Sequence, residues 1–175
     1  MEALRKILYF LPRLILFSIF IVYGIFALLT YFDYFEQFLF PLHFVQGDVQ
    51  KLSENIYIGP YPHFDELKRL QKETGIDVVI SLLSQDLPQE RALFNRESNI
   101  ADRLGIKLYN YPMSYFDLRG KHNKQTAAEV TAVIKGLKDK KIYIHCYLGR
   151  HRVNLVKNYL LTDGLISELP VHDSK

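Results

Sequence analysis

Several residue types that would point to particular classes of protein are scarce or missing. The 175 residues contain one cysteine and no tryptophan. A single cysteine cannot form an internal disulfide, and no cluster of cysteine and histidine has the spacing of a zinc finger. The formal net charge is only +3, so the strongly basic surface typical of a nucleic-acid-binding protein is missing. We therefore expect no nucleic-acid partner and no metal.

Charge is also missing from residues 14–31, which read LILFSIFIVYGIFALLTY. An uncharged stretch of roughly 18 residues is long enough to cross a membrane as a helix. Arg5, Lys6 and Arg13 precede it, and aromatic residues stand at both of its ends, as in membrane-interface belts. A cleaved signal peptide would have a shorter apolar region followed by small residues, and a buried core helix fits less well because the segment is apolar all round. We therefore predict a single-pass, uncleaved membrane anchor over residues 1–35.

The charges around this anchor predict its orientation. Residues 32–50 contain three acidic side chains but no lysine or arginine, so the positive-inside rule places the N-terminus in the cytoplasm. Residues 36–50 are predicted to be a juxtamembrane linker. The aromatic and apolar stretch 34–45 either lies on the membrane surface or packs against the domain that follows.

From about residue 51 the pattern changes to short apolar runs that alternate with amphipathic segments. Strands are predicted where β-branched and aromatic residues cluster, at residues 55–59, 76–83, 106–111 and 141–145. Helices are predicted between these strands and after the last one, at residues 64–74, 88–104, 123–137 and 152–161. This alternation predicts an α/β domain over residues 51–166, with a small parallel-type sheet flanked by helices. Residues 167–175 are predicted to be a polar tail.

The one cysteine lies in the stretch HCYLGRHR, between the last predicted strand and the last predicted helix. Backbone N–H groups in a loop that opens a helix can converge on an anion, and the helix N-terminus adds positive partial charge. The residues between Cys146 and Arg152 are enough to curl around one phosphate, and Gly149 permits the turn. The helix terminus and the nearby arginines also favour the thiolate form of the cysteine. Cys146 is therefore the predicted nucleophile and Arg152 the predicted bidentate phosphate ligand.

This stretch resembles the signature loop of the protein tyrosine phosphatase superfamily, His-Cys-x5-Arg. The short domain, with its cysteine near the C-terminal end, is similar to the dual-specificity branch, and the stretches YIGPYP (57–62) and SLLSQDLP (81–88) look like loops of bacterial members. The resemblance implies a membrane-anchored, bacterial-type cysteine phosphatase that needs no cofactor and works through a cysteinyl-phosphate intermediate. It implies that His145 orients the loop, and that the phosphate is bound by Tyr147, Leu148, Gly149, Arg150, His151 and Arg152.

The resemblance also implies a general acid that protonates the leaving oxygen from a mobile loop after the preceding strand. The matching position is Asp117, in the stretch YPMSYFDLRG (111–120), where Gly120 would help the loop to move. Asp102 is the alternative acid, although it lies inside a predicted helix.

One position departs from the family pattern, which has serine or threonine directly after the loop arginine. Here that position is Val153. The family's hydroxyl hydrogen-bonds the thiolate and assists breakdown of the phosphoenzyme, so its loss predicts a slow enzyme that accumulates the intermediate. The same valine leaves open a pseudophosphatase, which binds phosphorylated partners without turning them over.

The substrate is predicted to be either a phosphorylated protein or a phospholipid. An anchor would bring the site close to lipid headgroups, and the mitochondrial phosphatidylglycerophosphate phosphatase has a similar compact domain. A phosphoprotein substrate would favour a cytoplasmic domain, against the positive-inside rule, so the side of the membrane stays open. Arsenate reduction generally needs further thiols, which this chain lacks, and sulfurtransferases carry a tighter loop. The sequence thus favours phosphomonoester hydrolysis at a membrane.

Overall fold

The structure is a computed structural model that describes residues 2–31 and 46–167, with residues 2–9 described by their backbone alone. The aromatic stretch 34–45 and all but the first residue of the predicted polar tail lie outside the described residues. The predictions made for those two segments therefore remain predictions.

The described domain is built on a five-stranded sheet with the strand order β1-β2-β5-β3-β4. Its strands are β1 (Gln50–Lys51), β2 (Ile56–Gly59), β3 (Val78–Ser81), β4 (Lys107–Asn110) and β5 (Ile142–His145). The last four strands pair in parallel, as the alternation of strands and helices predicts. The short strand β1 was not predicted; it pairs antiparallel with β2 at one edge of the sheet.

The described residues form five helices: α1 (Glu2–Thr30), α2 (Phe64–Thr74), α3 (Pro88–Leu104), α4 (Lys121–Gly136) and α5 (His151–Thr162). Helix α3 begins at a proline, and α2 and α3 end at the predicted glycines, Gly75 and Gly105. Asn123, predicted as the cap of the fourth helix, lies instead within its first turn, and Gly120 is the residue that precedes the helix.

Two apolar clusters cover the two faces of the sheet. Alternate residues of β2, β3 and β5 pack on one side against α4 and α5 and on the other side against α2 and α3. Such alternation follows from the period of two in a strand. Strand β5 lies between β2 and β3 and is buried along its whole length. The cysteine that follows it therefore emerges at the centre of the carboxyl edge of the sheet, where ligands bind in folds of this kind.

Helix α1 lies largely outside this domain. Its segment Phe10–Thr30 is long and apolar enough to cross a membrane, with a mean hydropathy of 2.2. The most apolar 18 residues of this segment are not buried against the rest of the protein. This exposure disagrees with a core helix, because a core helix buries its apolar side chains. Helix α1 contacts α3, and Leu29 in the last turn of α1 lines a cavity with residues of α3.

Candidate active site

The predicted nucleophile and the predicted phosphate ligand lie at the two ends of one short loop. Cys146 directly follows β5, and Arg152 lies in the first turn of α5, which begins at His151. The loop between them is tied to two neighbouring segments. The N–H of Tyr61 donates to the carbonyl of Tyr147 at 3.2 Å, and the N–H of Gly47 donates to the carbonyl of Leu148 at 2.8 Å.

The turn of this loop depends on a glycine. Gly149 has a φ of +64°, which favours glycine, and a Cβ added to it would lie 2.3 Å from the backbone nitrogen of Pro60. The loop therefore crosses directly over the backbone after β2. Gly59 lies under this crossing, and a Cβ there would lie 2.4 Å from the hydroxyl of Tyr143. That hydroxyl donates to the carbonyl of Pro60 at 2.6 Å and so fixes the segment beneath the loop.

The backbone of the loop offers hydrogen-bond donors to an anion. Within residues 10–31 and 46–167, no acceptor receives the N–H groups of Leu148, Gly149 or Arg150. The first N–H groups of a helix also have no partner within the helix. Donors of both kinds, together with the positive end of the helix dipole, suit an anion.

Cys146 lies at the base of this loop with 2% of its surface exposed, within the apolar cluster on the α4–α5 face. It is also a neighbour of Arg152. Burial acts to lower the pKa of the Arg152 guanidinium, but hydrogen bonds and charge from Glu90, and then from Cys146, raise that pKa above its ordinary value. Arg152 therefore stays cationic beside the sulfur.

The Arg152 guanidinium is held from three other parts of the chain. Its Nη1 donates to the carbonyl of Leu82 at 3.0 Å, to the carbonyl of Met113 at 3.2 Å and to Glu90 Oε2 at 2.9 Å. Its Nη2 donates to Glu90 Oε1. These contacts leave the Nε–H and the second N–H of Nη2, and this pair of donors fits two oxygens of one phosphate.

Two buried glutamates of α3 support the site and were missed from the sequence. Glu90 pairs with Arg152. Glu97 lies two turns later on the same side of the helix and contacts His145 Nε2. Both carboxylates belong to the buried side of α3. The only signal in the sequence was their position at the apolar spacing of that helix, together with Leu93 and Ile100.

His145 is completely buried and lies against Tyr143, with the ring centroids 5.8 Å apart and the planes 18° from parallel. Among the described residues, its Nδ1, Glu97 Oε2 and Ser81 Oγ have no hydrogen-bond partner. Ser81 is the register partner of His145 across β3 and β5. The geometry fits a positioning role for His145 behind the cysteine, because the side chain does not reach the surface.

The predicted acid, Asp117, lies exposed on the loop between β4 and α4. Its carboxylate folds back over Gly120, since a Cβ added to that glycine would lie 1.9 Å from Asp117 Oδ2. The Asn123 side chain organises the loop through hydrogen bonds of 2.7–3.0 Å to Ser114 and Asp117 backbone groups. Two residues of the loop reach the site. The carbonyl of Met113 accepts a hydrogen bond from Arg152, and the ring centroid of Tyr115 lies 5.9 Å from Arg152 Cζ.

The alternative acid, Asp102, lies exposed near the end of α3. It follows Glu90 by twelve positions, which corresponds to about 18 Å along a helix axis, so it is remote from Arg152. Another acidic residue, Asp86, lines a cavity of about 270 Å³ with Tyr115 and His122. Asp117 therefore remains the better candidate of the two acids considered from the sequence, since its loop contacts the cysteine loop.

The other predicted phosphate-binding residues divide by exposure. Arg150 and His151 are exposed, whereas Tyr147, Leu148 and Gly149 are partly buried. Val153 is completely buried in the apolar cluster that contains Cys146.

In the part of the chain that the structure describes, no group of three histidine, cysteine or acidic side chains could hold a metal ion.

Comparison with solved structures shows a shared fold. The chain is similar to a putative phosphatase (DUF442) from Shewanella putrefaciens CN-32, with 19% identity, 67% of this chain and 69% of that chain covered, and a TM-score of 0.55. It is also similar to Tk-PTP in the active form, with 17% identity, 68% and 76% covered, and a TM-score of 0.52.

A third similar structure is a variant of P. aeruginosa TpbA in complex with pTyr, with 14% identity, 66% of this chain and 64% of that chain covered, and a TM-score of 0.50. No family model matches the chain, and no curated protein matches it. The likeness is therefore one of fold.

Proposed function

We propose that this chain, which has the fold of the cysteine-dependent phosphatases, hydrolyses phosphomonoesters with Cys146 as its nucleophile. One observation carries this proposal. A single loop brings the sulfur next to the Arg152 guanidinium, at a helix N-terminus, with backbone N–H groups that have no acceptor among the described residues. Together these groups can hold a phosphate directly over the sulfur.

The reaction has two displacement steps. The Cys146 thiolate attacks phosphorus, the bond from phosphorus to the ester oxygen breaks, and Asp117 protonates the leaving oxygen. Water then attacks the cysteinyl-phosphate and releases inorganic phosphate and the thiolate. Asp117 has to move away from Gly120 for this role, which its exposed loop permits.

Arg152 and Glu90 pre-organise the site for the charge of the transition state. Because Glu90 and two backbone carbonyls already fix the guanidinium, little ordering is needed when the substrate binds. Arg152 would hold two of the equatorial oxygens, and the loop N–H groups the remainder. His145, supported by Glu97, would fix the start of the loop.

The membrane setting is part of the same proposal. The apolar helix α1 supports a single-pass anchor at the N-terminus, and the basic residues before it support a cytoplasmic N-terminus. The substrate is a phosphorylated molecule that reaches a site close to the membrane. The likeness to a structure that contains pTyr supports a phosphotyrosine substrate, and the anchor supports a phospholipid.

Hydrolysis of an aryl phosphate tests the proposal. We expect activity that vanadate inhibits, that Cys146→Ser abolishes, and that Asp117→Asn lowers by about a hundredfold, the range for loss of a general acid. Asp102→Asn is the matched control, since this exposed aspartate lies on α3 away from Arg152, and it should keep the wild-type rate. Tight phosphate binding without any turnover would instead support the pseudophosphatase.

A further inference from the structure

Within residues 46–167, large apolar side chains are exposed at few positions. In the described part of the domain these positions are Val49, Tyr115 and Phe116, with 43%, 46% and 84% of their surface exposed. Tyr115 and Phe116 are adjacent on the Asp117 loop and contact one another edge to face at 5.8 Å. Exposed aromatic pairs of this kind mark a surface that meets a partner or a membrane.

The aromatic pair borders a cavity of about 330 Å³, which we call the apolar groove. Its walls come from four elements: the last turn of α1, the start of α3, the Asp117 loop and the cysteine loop. The residues that matter here are Leu29, Gln89, Leu93, Phe116, Tyr147 and Leu148. Tyr147 and Leu148 directly follow Cys146, so the groove runs from the candidate phosphate site to the end of α1.

The position of Leu29 indicates where this groove lies relative to a membrane. Leu29 is in the last turn of the segment Phe10–Thr30, the proposed span, and the end of a span lies at the boundary between hydrocarbon and headgroups. Phe116 and Tyr115 therefore stand at the depth where aromatic side chains are favoured. Arg119 on the same loop and Lys121 at the start of α4 are both exposed, and both suit anionic headgroups.

We propose that the apolar groove takes the lipid part of a membrane phospholipid that carries a terminal phosphomonoester, and that this lipid is the substrate of Cys146. This inference rests on the proposed function and the proposed anchor. The lipid would enter sideways from the bilayer, with its glycerol and upper chain atoms along Leu93 and Phe116 and its phosphate over the sulfur. Hydrolysis breaks the bond from phosphorus to the lipid oxygen, Asp117 protonates that oxygen, and water releases the phosphate from Cys146.

A soluble phosphoprotein would make less use of this geometry. Its substrate residue would have to reach the cysteine loop past Phe116 and the end of α1, against an apolar wall that offers few polar partners. The volume of the groove lies at the lower end of the range for small-molecule sites, which suits one portion of a lipid and leaves the remaining chain in the bilayer.

The test uses the full chain in phosphatidylcholine nanodiscs and four probes: dioleoyl phosphatidic acid, short-chain dihexanoyl phosphatidic acid, a phosphotyrosine peptide and an aryl phosphate. The measured quantity is the ratio of kcat/KM for dioleoyl phosphatidic acid to kcat/KM for the aryl phosphate. We expect two variants each to lower this ratio by about tenfold, the effect of losing one buried apolar contact between protein and lipid. Phe116→Ser removes an apolar wall of the groove, and Gln89→Trp fills the groove from α3.

Val49→Ser is the matched control, because it also removes an exposed apolar side chain but lies outside the groove. It should leave the ratio unchanged. An equal effect of all three variants overturns the inference, as does a ratio that Phe116→Ser and Gln89→Trp leave unchanged. Preference for dihexanoyl phosphatidic acid or for the peptide over the bilayer lipid also overturns it, while leaving the phosphatase proposal intact. Aryl phosphate hydrolysis that is absent, or that survives Cys146→Ser, overturns the proposed function itself.

Discussion

At the scale of single residues, the buried pair of Arg152 and Glu90 decides whether the phosphate ligand is in place. The side chains are 2% and 7% exposed, and loss of one partner from a buried pair leaves an uncompensated charge. We expect Glu90→Gln to lower the free energy of unfolding by about 3 kcal/mol. The same change should lower kcat/KM at least about tenfold, because the guanidinium loses its fixed position.

Urea unfolding in detergent and aryl phosphate kinetics measure these two effects. Glu54→Gln is the matched control, since Glu54 forms an exposed ion pair with Lys51, and such pairs contribute about 0–1 kcal/mol. Comparable losses in Glu90→Gln and Glu54→Gln would show that the buried pair has no special role.

Val153 is the residue that sets the expected rate of the second step. A serine at this position could donate a hydrogen bond to the sulfur, and hydrogen bonds to charged groups are worth about 1.5–3 kcal/mol. We therefore expect wild-type protein to show a burst of product followed by slow turnover. Val153→Ser should reduce the burst and raise steady-state kcat by about tenfold.

The control for this substitution is Val156→Ser. Both valines are completely buried in the apolar cluster on the α4–α5 face, so both variants lose about 1–3 kcal/mol of stability. Only the first should change the burst, because Val156 lies one turn further along α5. Unchanged burst and steady-state rates in Val153→Ser would contradict the slow-enzyme prediction.

At the scale of elements, the cysteine loop depends on its close crossing over the end of β2. Gly149→Ala forces a Cβ to 2.3 Å from the backbone nitrogen of Pro60, and backbone cannot yield as a flexible side chain would. We expect this variant to lose about a hundredfold in kcat/KM, because the loop N–H groups shift from the position where they meet the phosphate.

Gly164→Ala separates this collision from simple backbone strain. Gly164 has a similar φ of +68° but nothing within 4 Å of an added Cβ. It should cost about 1–2 kcal/mol through its left-handed conformation and leave kcat/KM unchanged. Equal kinetic effects of the two variants, measured with the aryl phosphate, would remove the crossing as the reason for the loss.

The elements also show which kinds of information the sequence carries. Apolar runs predict β2 to β5, and Pro88 and Gly105 predict the bounds of α3, because these signals are local. Strand β1 is two polar residues long, and only its pairing with the edge of β2 makes it a strand. Its prediction would require the tertiary structure.

The candidate site divides in the same way. Cys146, Arg152 and the loop between them are adjacent in sequence, so their spacing predicts the phosphate site. Glu90 and Glu97 contact partners 62 and 48 positions away, and a glutamate in a helical pattern ordinarily faces solvent. The position of the Asp117 carboxylate over Gly120 depends on how Asn123 arranges the loop, and this too is set by packing.

At the scale of the whole molecule, the anchor contributes no residue to the core of the domain but does contribute one to the groove beside the candidate site. Among the described residues, none from α1 belongs to the apolar clusters of the domain, whereas Leu29 lines the apolar groove. The backbone N–H of Gly47, on the domain side of the linker, also holds the carbonyl of Leu148. The anchor would therefore control where the site works and leave its folding largely unaffected.

Deletion of residues 1–35 tests this separation. Because the apolar clusters and the cysteine loop remain complete, the shortened chain should fold cooperatively. It should keep aryl phosphate hydrolysis within about threefold of the full chain, since α1 packs against the surface of the domain and not in its core.

In a flotation assay the full chain should rise with phosphatidylcholine vesicles and the shortened chain should stay in the dense fraction, because the only proposed span has been removed. Shortened chain that still floats would indicate that the aromatic stretch 34–45 lies on the membrane. An intact mass of the membrane-bound full chain that lacks the first residues would instead identify α1 as a cleaved signal peptide and end the anchor proposal.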